Sequence, residues 1–391
     1  MEQKSRILIL TTAYLPEVGG SELAIKNITD KLGGFCFDLI TTRSSKNLLK
    51  EEKIGNVSVY RVGGLLGLFS FLLPKNFFPV LVFLKALQLI RKNNRYNAIH
   101  AYQASQAAGG GWMLKLVYPK IPFLVTLQEG KNLDSQSWLT KFFRRFILKK
   151  ADVITVISDY LAKYAKWVNP KAKAVLIPNG VDIDKFQVSN HKSQTNSNNQ
   201  IQNIKTVITV SRLVEKNGVG DLIEAFYILN NRYKPQVASY KLVIIGDGPL
   251  HENLEFRIAD YELRDHVKII GKVLPDEVPK YLAKADVFVR PSLSEGLGTA
   301  FLEAMAAGVP VIGTSVGGIP DFLKDPLTHA RQATGLFCKA NNPEDLAEKM
   351  HKVLSDDDLK ENLTTNARKL VEEKYNWDKI ADQFKNLYDS I

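Results

Sequence analysis

Along this chain, short runs of β-branched and aliphatic residues alternate with stretches whose apolar residues return every three or four positions, the pattern of parallel strands covered by helices. Two such series are present. In the first, RILILTTAY, FDLITT, VSVYRV, NAIHAY, PFLVTLQ, DVITVIS and AVLIPNG predict strands or strand-like runs; in the second, TVITVSRL, KLVIIGDG, VKIIGKV, DVFVRPS, VPVIGTS and TGLFC do the same. Between them lies QVSNHKSQTNSNNQIQN, residues 187–203, with too few apolar residues to order itself, which predicts a flexible loop at a domain junction. The pattern therefore predicts an α/β protein with a first domain over 1–186 and a second over 204–375. At 391 residues the chain is also long enough for two domains. Its last segment, EEKYNWDKIADQFKNLYDSI, predicts a helix with Trp377, Ile380, Phe384 and Leu387 on one face.

Composition narrows the class without naming an activity. With 45% hydrophobic and 24% charged residues the chain is of the ordinary globular kind, neither disordered nor fibrous. Cys36 and Cys338 lie far apart and show no metal-ligand spacing, which reads as two reduced thiols of a cytosolic protein. The six histidines show no ligand spacing either, so no metal is expected. The opening MEQKSRILILTTAY has one short apolar run and no cleavage site, so it predicts a first strand rather than a leader.

The net charge of +11 is unevenly spread. Residues 1–190 carry 27 Lys and Arg against 13 Asp and Glu, while the remainder carries 25 against 28. No acid occurs between Glu52 and Glu129, although Lys53, Arg61, Lys75, Lys85, Arg91, Lys92, Arg95, Lys115 and Lys120 fall there. That asymmetry predicts a polyanionic partner for the first domain. The apolar runs at 65–73 and 77–84 are each too short to span a bilayer, which takes roughly 20 residues. They fit either a core helix flanked by solvated lysines or an apolar, basic face resting on an anionic membrane, and KFFRRFILKK at 141–150 favours the membrane. No zinc-finger, RNP or helix-turn-helix pattern accompanies the charge, so nucleic acid is not expected.

Ligands of open α/β sheets bind beyond the carboxyl ends of the strands, which directs attention to the loops there. After the first strand, LPEVGGSE places Gly19 and Gly20 where backbone can approach a ligand, or simply make a tight turn, before a helix beginning near Ser21. After the first strand of the second series, SRLVEKNG offers Arg212 and Lys216, two cations suited to a diphosphate if they are not merely solvated. SEGLGTAFLEAMAAG, residues 294–308, sets Glu295 in a glycine-loosened turn and Glu303 about one turn into a helix stopped by Gly308. A helix amino terminus near Gly298 and Thr299 would offer N–H groups to an anion between the two acids. Such a pair can straddle a ligand with phosphate in the middle and hydroxyls at both ends, as in a nucleoside diphosphate sugar.

Taken together, the E-x7-E spacing, SRLVEKNG, IIGDGP, IPNGVD and ADVFVRPSLSEGLGTAFLEAMAAGVPVIGTSVGGIPD resemble glycosyltransferase family 4. The resemblance implies the GT-B fold: two facing Rossmann-like domains, with the final helix, 376–391, crossing back to the first. It implies a retaining, metal-independent transfer, with a nucleotide sugar as donor substrate and no cofactor. It places Glu303 on the donor ribose, Glu295 on the transferred sugar, Arg212 and Lys216 on the diphosphate, and Gly246, Gly296, Leu297, Gly298 and Thr299 along the donor. Gly19 and Gly20 would close over the donor from the other domain.

One departure bears on catalysis. The family commonly has T-x-H after a strand of the first domain, and this chain reads Thr126-Leu127-Gln128-Glu129-Gly130. Glutamine keeps hydrogen-bonding capacity and loses titration. Gln128 can orient a sugar hydroxyl; if a proton must move, Glu129 would have taken over, with His100 at the preceding strand end as the alternative and Tyr102 where a second histidine is common. The expected protein is a cytoplasmic glycosyltransferase, peripheral on the membrane, whose basic first domain takes a glycan or lipid-linked acceptor. Its rivals are a nucleotide-sugar epimerase of the same fold and a non-catalytic, membrane-bound homologue.

Overall fold

The structure, a computed structural model, describes residues 4–63, 77–93, 95–130, 136–187, 203–233 and 238–391. The chain divides into two compact units, one of residues 1–179 with 377–391, the other of residues 180–376.

In chain order the first unit contains β1 (Ser5–Leu10), α1 (Gly20–Lys31), β2 (Phe35–Thr42), β3 (Glu51–Ile54), β4 (Val57–Val62), α2 (Phe78–Asn93), β5 (Ala98–Tyr102), α3 (Gln106–Val117), β6 (Phe123–Leu127), α4 (Trp138–Lys150), β7 (Val153–Val156), α5 (Asp159–Val168) and β8 (Lys173–Leu176). Its sheet runs β3-β4-β2-β1-β5-β6-β7-β8, parallel except for β3. The strands predicted from apolar runs are all present. The unpredicted β3 is short and charged, EEKI, and forms the sheet edge through a two-residue turn at Gly55 and Asn56. An edge strand rich in charge needs no apolar pattern. Ile7, Leu8, Ile9 and Leu10 of β1 are wholly buried, as befits a strand covered on both faces.

Helix α2 shows why one basic, apolar stretch is part of a core. Phe78, Val82, Ala86, Leu89 and Ile90 are buried, and α3 meets α2 through glycines: a β-carbon at Gly110 would lie 2.6 Å from Val82. The core-helix expectation thus holds for the inner face of α2. The run at 65–73 lies outside the described residues.

The second unit contains α6 (Ile183–Gln187), β9 (Asn203–Val210), α7 (Val219–Arg232), β10 (Ala238–Ile245), α8 (His251–Asp260), β11 (Val267–Gly271), α9 (Val278–Leu282), β12 (Val287–Arg290), α10 (Thr299–Ala306), β13 (Val311–Thr314), α11 (Ile319–Phe322), α12 (Pro326–His329), β14 (Leu336–Cys338), α13 (Pro343–Ser355) and α14 (Asp357–Lys374). Its parallel sheet runs β11-β10-β9-β12-β13-β14, from the six runs predicted. Helix α15 (Trp377–Asp389) completes the first unit, where Trp377, Ile380, Phe384, Leu387 and Tyr388 join a core with Phe35, Phe37 and Leu124.

Two boundaries need correction. The first unit ends at Asn179 rather than at 186, because the amide of Val181 donates to the carbonyl of Tyr375 at 2.7 Å and α6 packs against α10. Residues 188–202 lie outside the described residues, but their flanks, Gln187 and Asn203, both belong to the second unit, so this stretch is not the junction between units.

Candidate active site

The strand orders locate a site in each unit. In the second unit the chain builds outward from β9 to β10 and β11, then returns to add β12, β13 and β14 on the other side. The reversal falls between β9 and β12, and a crevice opens beyond the carboxyl ends of strands at such a point. The loops leaving these two strands are the ones that carry Arg212, Lys216, Glu295 and Gly298.

These loops are joined to each other. The Lys216 carbonyl accepts from the amide of Leu293 at 2.7 Å, and its ammonium lies 3.4 Å from the Ser294 carbonyl oxygen. Arg212 is exposed; its carbonyl accepts from the Asn217 amide group at 2.7 Å, which fixes the loop beneath it. Gly246, expected along the donor, has a scaffolding reason to be glycine: a β-carbon there would lie 1.9 Å from the Ser211 carbonyl oxygen, on a backbone with φ +136°. Gly246 thus lets the loop after β10 press against the loop carrying Arg212.

Glu295 is buried, and both of its carboxylate oxygens are held. One pairs with the Arg290 guanidinium at the end of β12, and the other accepts from the amide of Gly296 at 3.1 Å. Arg290 also reaches the Asn217 side-chain oxygen at 3.4 Å. Gly296, Leu297 and Gly298 are buried, whereas Thr299 is partly exposed. Helix α10 starts at Thr299 as expected, with Gly298 in the left-handed region (φ +95°) as an amino-terminal cap that brings no side chain. Its amide end therefore offers N–H groups with no side-chain cap, and Ser292, in the loop between β12 and α10, has a hydroxyl buried without a partner. Such an end favours an anion.

Glu303 stands one turn into α10 and is only partly exposed. Burial raises its carboxyl to about 7, with Lys185 and Arg290 acting in the opposite direction. Lys185, on α6 and paired with Asp276, was absent from the sequence-based candidates; only the packing of α6 on α10 brings it near.

In the first unit the reversal falls between β1 and β5. Gly19 caps α1 there, and Gly20 has open space above it. Glu22 folds back on the helix end: its carboxylate takes hydrogen bonds from Ser21 and Gly19, and burial raises its pKa. Gln103, after β5, adopts φ +67°, a left-handed backbone that sequence pattern cannot disclose in a non-glycine residue. Gln128 donates to the Asn179 side-chain oxygen at 3.1 Å. Glu129 accepts from the amide of Ala104 at 3.2 Å and lies 3.7 Å from the Arg144 guanidinium.

His100 and Tyr102 do not belong with these residues. His100 is wholly buried between the hydroxyls of Tyr388 (2.7 Å) and Thr126 (2.6 Å), and burial lowers its pKa to about 3. Tyr102 is 1% exposed and packs on the His100 ring. Both are core residues under α15, and neither faces an acceptor.

The charged stretch also needs adjustment. Arg61 is buried in an ion pair with Glu52, Lys85 pairs with Glu51 and Lys115 with Asp152, so these three cations are answered within the unit. Lys53, Arg91, Lys92, Arg95 and Lys120 are exposed, and Lys75 lies outside the described residues. The larger apolar display is on α4, where Trp138, Leu139, Phe142, Phe143 and Phe146 are each about half exposed or more. Among the described residues no helix is long and apolar enough to cross a membrane.

Comparison with known proteins matches this architecture. The model Glycosyltransferase Family 4 covers residues 18–185, and Glycosyl transferases group 1 covers residues 191–370. The chain belongs to this family of glycosyltransferases. An uncharacterized glycosyltransferase of Methanocaldococcus jannaschii is 25% identical over 98% of both chains. A GDP-mannose-dependent alpha-(1-6)-phosphatidylinositol monomannoside mannosyltransferase of Mycobacterium tuberculosis is 33% identical over 59% of this chain and 60% of its own. Sucrose-phosphate synthase from Thermosynechococcus elongatus superposes with a TM-score of 0.81 at 23% identity, covering 99% of each chain. The two α/β units are those of the GT-B fold.

Proposed function

We propose that the chain is a retaining hexosyltransferase that takes its sugar from a nucleoside diphosphate sugar bound on the second unit and delivers it to a glycan or lipid-linked acceptor bound on the first. The observation that carries this reading is the convergence at the β9/β12 reversal: two cations on one loop, Glu295 on the other and Glu303 in the helix it feeds, with a helix end lacking a side-chain cap between the acids. Glu303 accepts from the ribose hydroxyls, Glu295 orients the transferred sugar, and Arg212, Lys216 and the amide end of α10 face the diphosphate. Charge develops on the departing diphosphate as the glycosidic bond breaks. Fixed cations and N–H groups stabilise that charge without reorganising, which is where most of the barrier reduction arises. Such a leaving-group site works without a metal. Gln128, held by Asn179, orients an acceptor hydroxyl and carries no proton.

The mycobacterial relative's name joins a nucleotide-sugar donor to a phosphatidylinositol-based acceptor. A lipid-borne acceptor suits the exposed aromatic and basic face of α4, and we place the enzyme on the cytoplasmic face of an anionic membrane. The test is a panel of nucleoside diphosphate sugars assayed with membrane extract and followed by mass and by anomeric NMR of the product. Retention of configuration with one donor is expected. Inversion, or no transfer from any donor, would sink the reading.

A further inference from the structure

Beneath the exposed face of α4, the same helix turns Arg144 inward, and its environment is incomplete. Arg144 is 6% exposed, yet the Nε and Nη1 atoms of its guanidinium are buried with no hydrogen-bond partner. Its neighbours are Tyr164, whose pKa is raised by burial and drawn back by the Arg144 charge, and the Glu129 carboxylate at 3.7 Å, too far for a hydrogen bond. Glu129 is itself half-satisfied: Oε1 accepts from the amide of Ala104, and Oε2 is buried and unpaired. Beside Ala104, the Ser105 hydroxyl caps α3 without bonding its amides and is also buried without a partner. Buried guanidinium and carboxylate atoms are rarely left unpaired, because an unpaired charge away from water is costly.

The unpaired atoms form a complementary set. The Nη1 and Nε N–H groups of the guanidinium and the Ser105 hydroxyl can each donate to an anionic oxygen group, and Glu129 Oε2 accepts one hydroxyl donor. Ser105 and Glu129 follow the carboxyl ends of β5 and β6, and Arg144 reaches Glu129 from α4. We infer that Arg144, Ser105 and Glu129 form an acceptor subsite for a molecule bearing a phosphate close to the hydroxyl to be glycosylated, the phosphate on Arg144 and the hydroxyl on Glu129. This rests on the proposed function only in calling the ligand an acceptor; the anion site itself can be tested alone.

The probe is inorganic phosphate, titrated into the full chain by calorimetry. Phosphate also fits the donor site, so the background is the double variant Arg212→Ala/Lys216→Ala. In that background phosphate should still bind, Arg144→Gln should weaken it at least tenfold, and Glu129→Gln, which removes a neighbouring negative charge, should tighten it. The opposite signs at neighbouring positions separate a site from general loss of structure. A second arm uses neutral vesicles with and without phosphatidate: an Arg144-dependent response only there assigns a lipid phosphate, and one to free phosphate assigns a soluble one. No Arg144-dependent response in either arm overturns the inference. Nucleotide binding to the otherwise wild-type chain is read separately, so failure of the donor reading and failure of this one cannot be confused.

Discussion

Arg290 closes β12 and pairs with Glu295 five residues later, so the strand end and the loop it feeds are locked by one buried ion pair. The same guanidinium lowers the pKa of Glu303 against the effect of burial. One cation therefore acts on both acids of the E-x7-E pair, with Lys185 the larger counter-charge at Glu303. Arg290 touches neither donor nor acceptor in the proposed arrangement and acts as a positioning residue.

Arg290→Ala would strand a buried carboxylate, at a cost of about 3 kcal/mol in stability. It should also lower kcat more than it raises the donor KM, because Glu295 would lose its orientation while the diphosphate and ribose contacts remain. Arg290→Lys should recover part of kcat. Equal kcat in wild type and Arg290→Ala, measured below the melting temperature of the variant, would show that Glu295 needs no such hold.

Glu303 gives a prediction with a pH sign. Burial raises its folded carboxyl to about 7 from the ordinary 4.5, so the folded state holds a proton that the unfolded chain releases. The resulting stabilisation is complete below about pH 4.5 and is lost as the pH climbs through 7. Glu303→Gln removes that dependence and should raise Tm at pH 8 by a few degrees relative to wild type, with little gain at pH 5. The same variant should bind donor less well, since an amide accepts ribose hydroxyls more weakly than a carboxylate. Wild-type donor affinity in Glu303→Gln would take Glu303 out of the site.

How far the sequence reaches is visible in these residues. Period-two and buried apolar runs disclose every long strand, and glycines beside charged residues disclose the loops that matter, because both signals are local. Arg290 reads only as the polar end of a strand, and its partner emerges from the turn that brings Glu295 back onto it. Lys185 and Arg144 depend on which helices pack together, and the reversal between β9 and β12 depends on strand order, which periodicity does not encode. His100 and Tyr102 mislead for the opposite reason: their strand-end position is local, whereas their burial comes from α15, nearly 300 residues away.

Arg212→Ala and Lys216→Ala should each lower kcat by roughly 10²-fold, the usual loss when one preorganised stabiliser of developing charge is removed. EDTA should leave turnover within twofold in the same assay. A strict requirement for a divalent ion would mean that the two cations do not neutralise the diphosphate by themselves.

The last prediction concerns α4. Besides the inward Arg144, its thirteen residues include Lys141, Arg145, Lys149 and Lys150 and no acid, and Trp138, Phe142 and Phe143 are 75%, 48% and 57% exposed. In water that display is unfavourable. Against an anionic bilayer each exposed cation contributes about 1 kcal/mol, and each aromatic ring taken fully out of water contributes roughly 1.5–3 kcal/mol. Both contributions point outward from one helix. The enzyme should float with vesicles containing anionic lipid and lose most of that binding at high ionic strength, where the Debye length shrinks to about 3 Å at 1 M salt. Phe142→Ser/Phe143→Ser should cut vesicle binding at least tenfold at low salt and leave nucleotide affinity unchanged, because α4 belongs to the first unit and the proposed nucleotide site to the second. Flotation that is equal on neutral and anionic vesicles would reassign the surface to apolar contact alone, and flotation on neither would remove the membrane from the account.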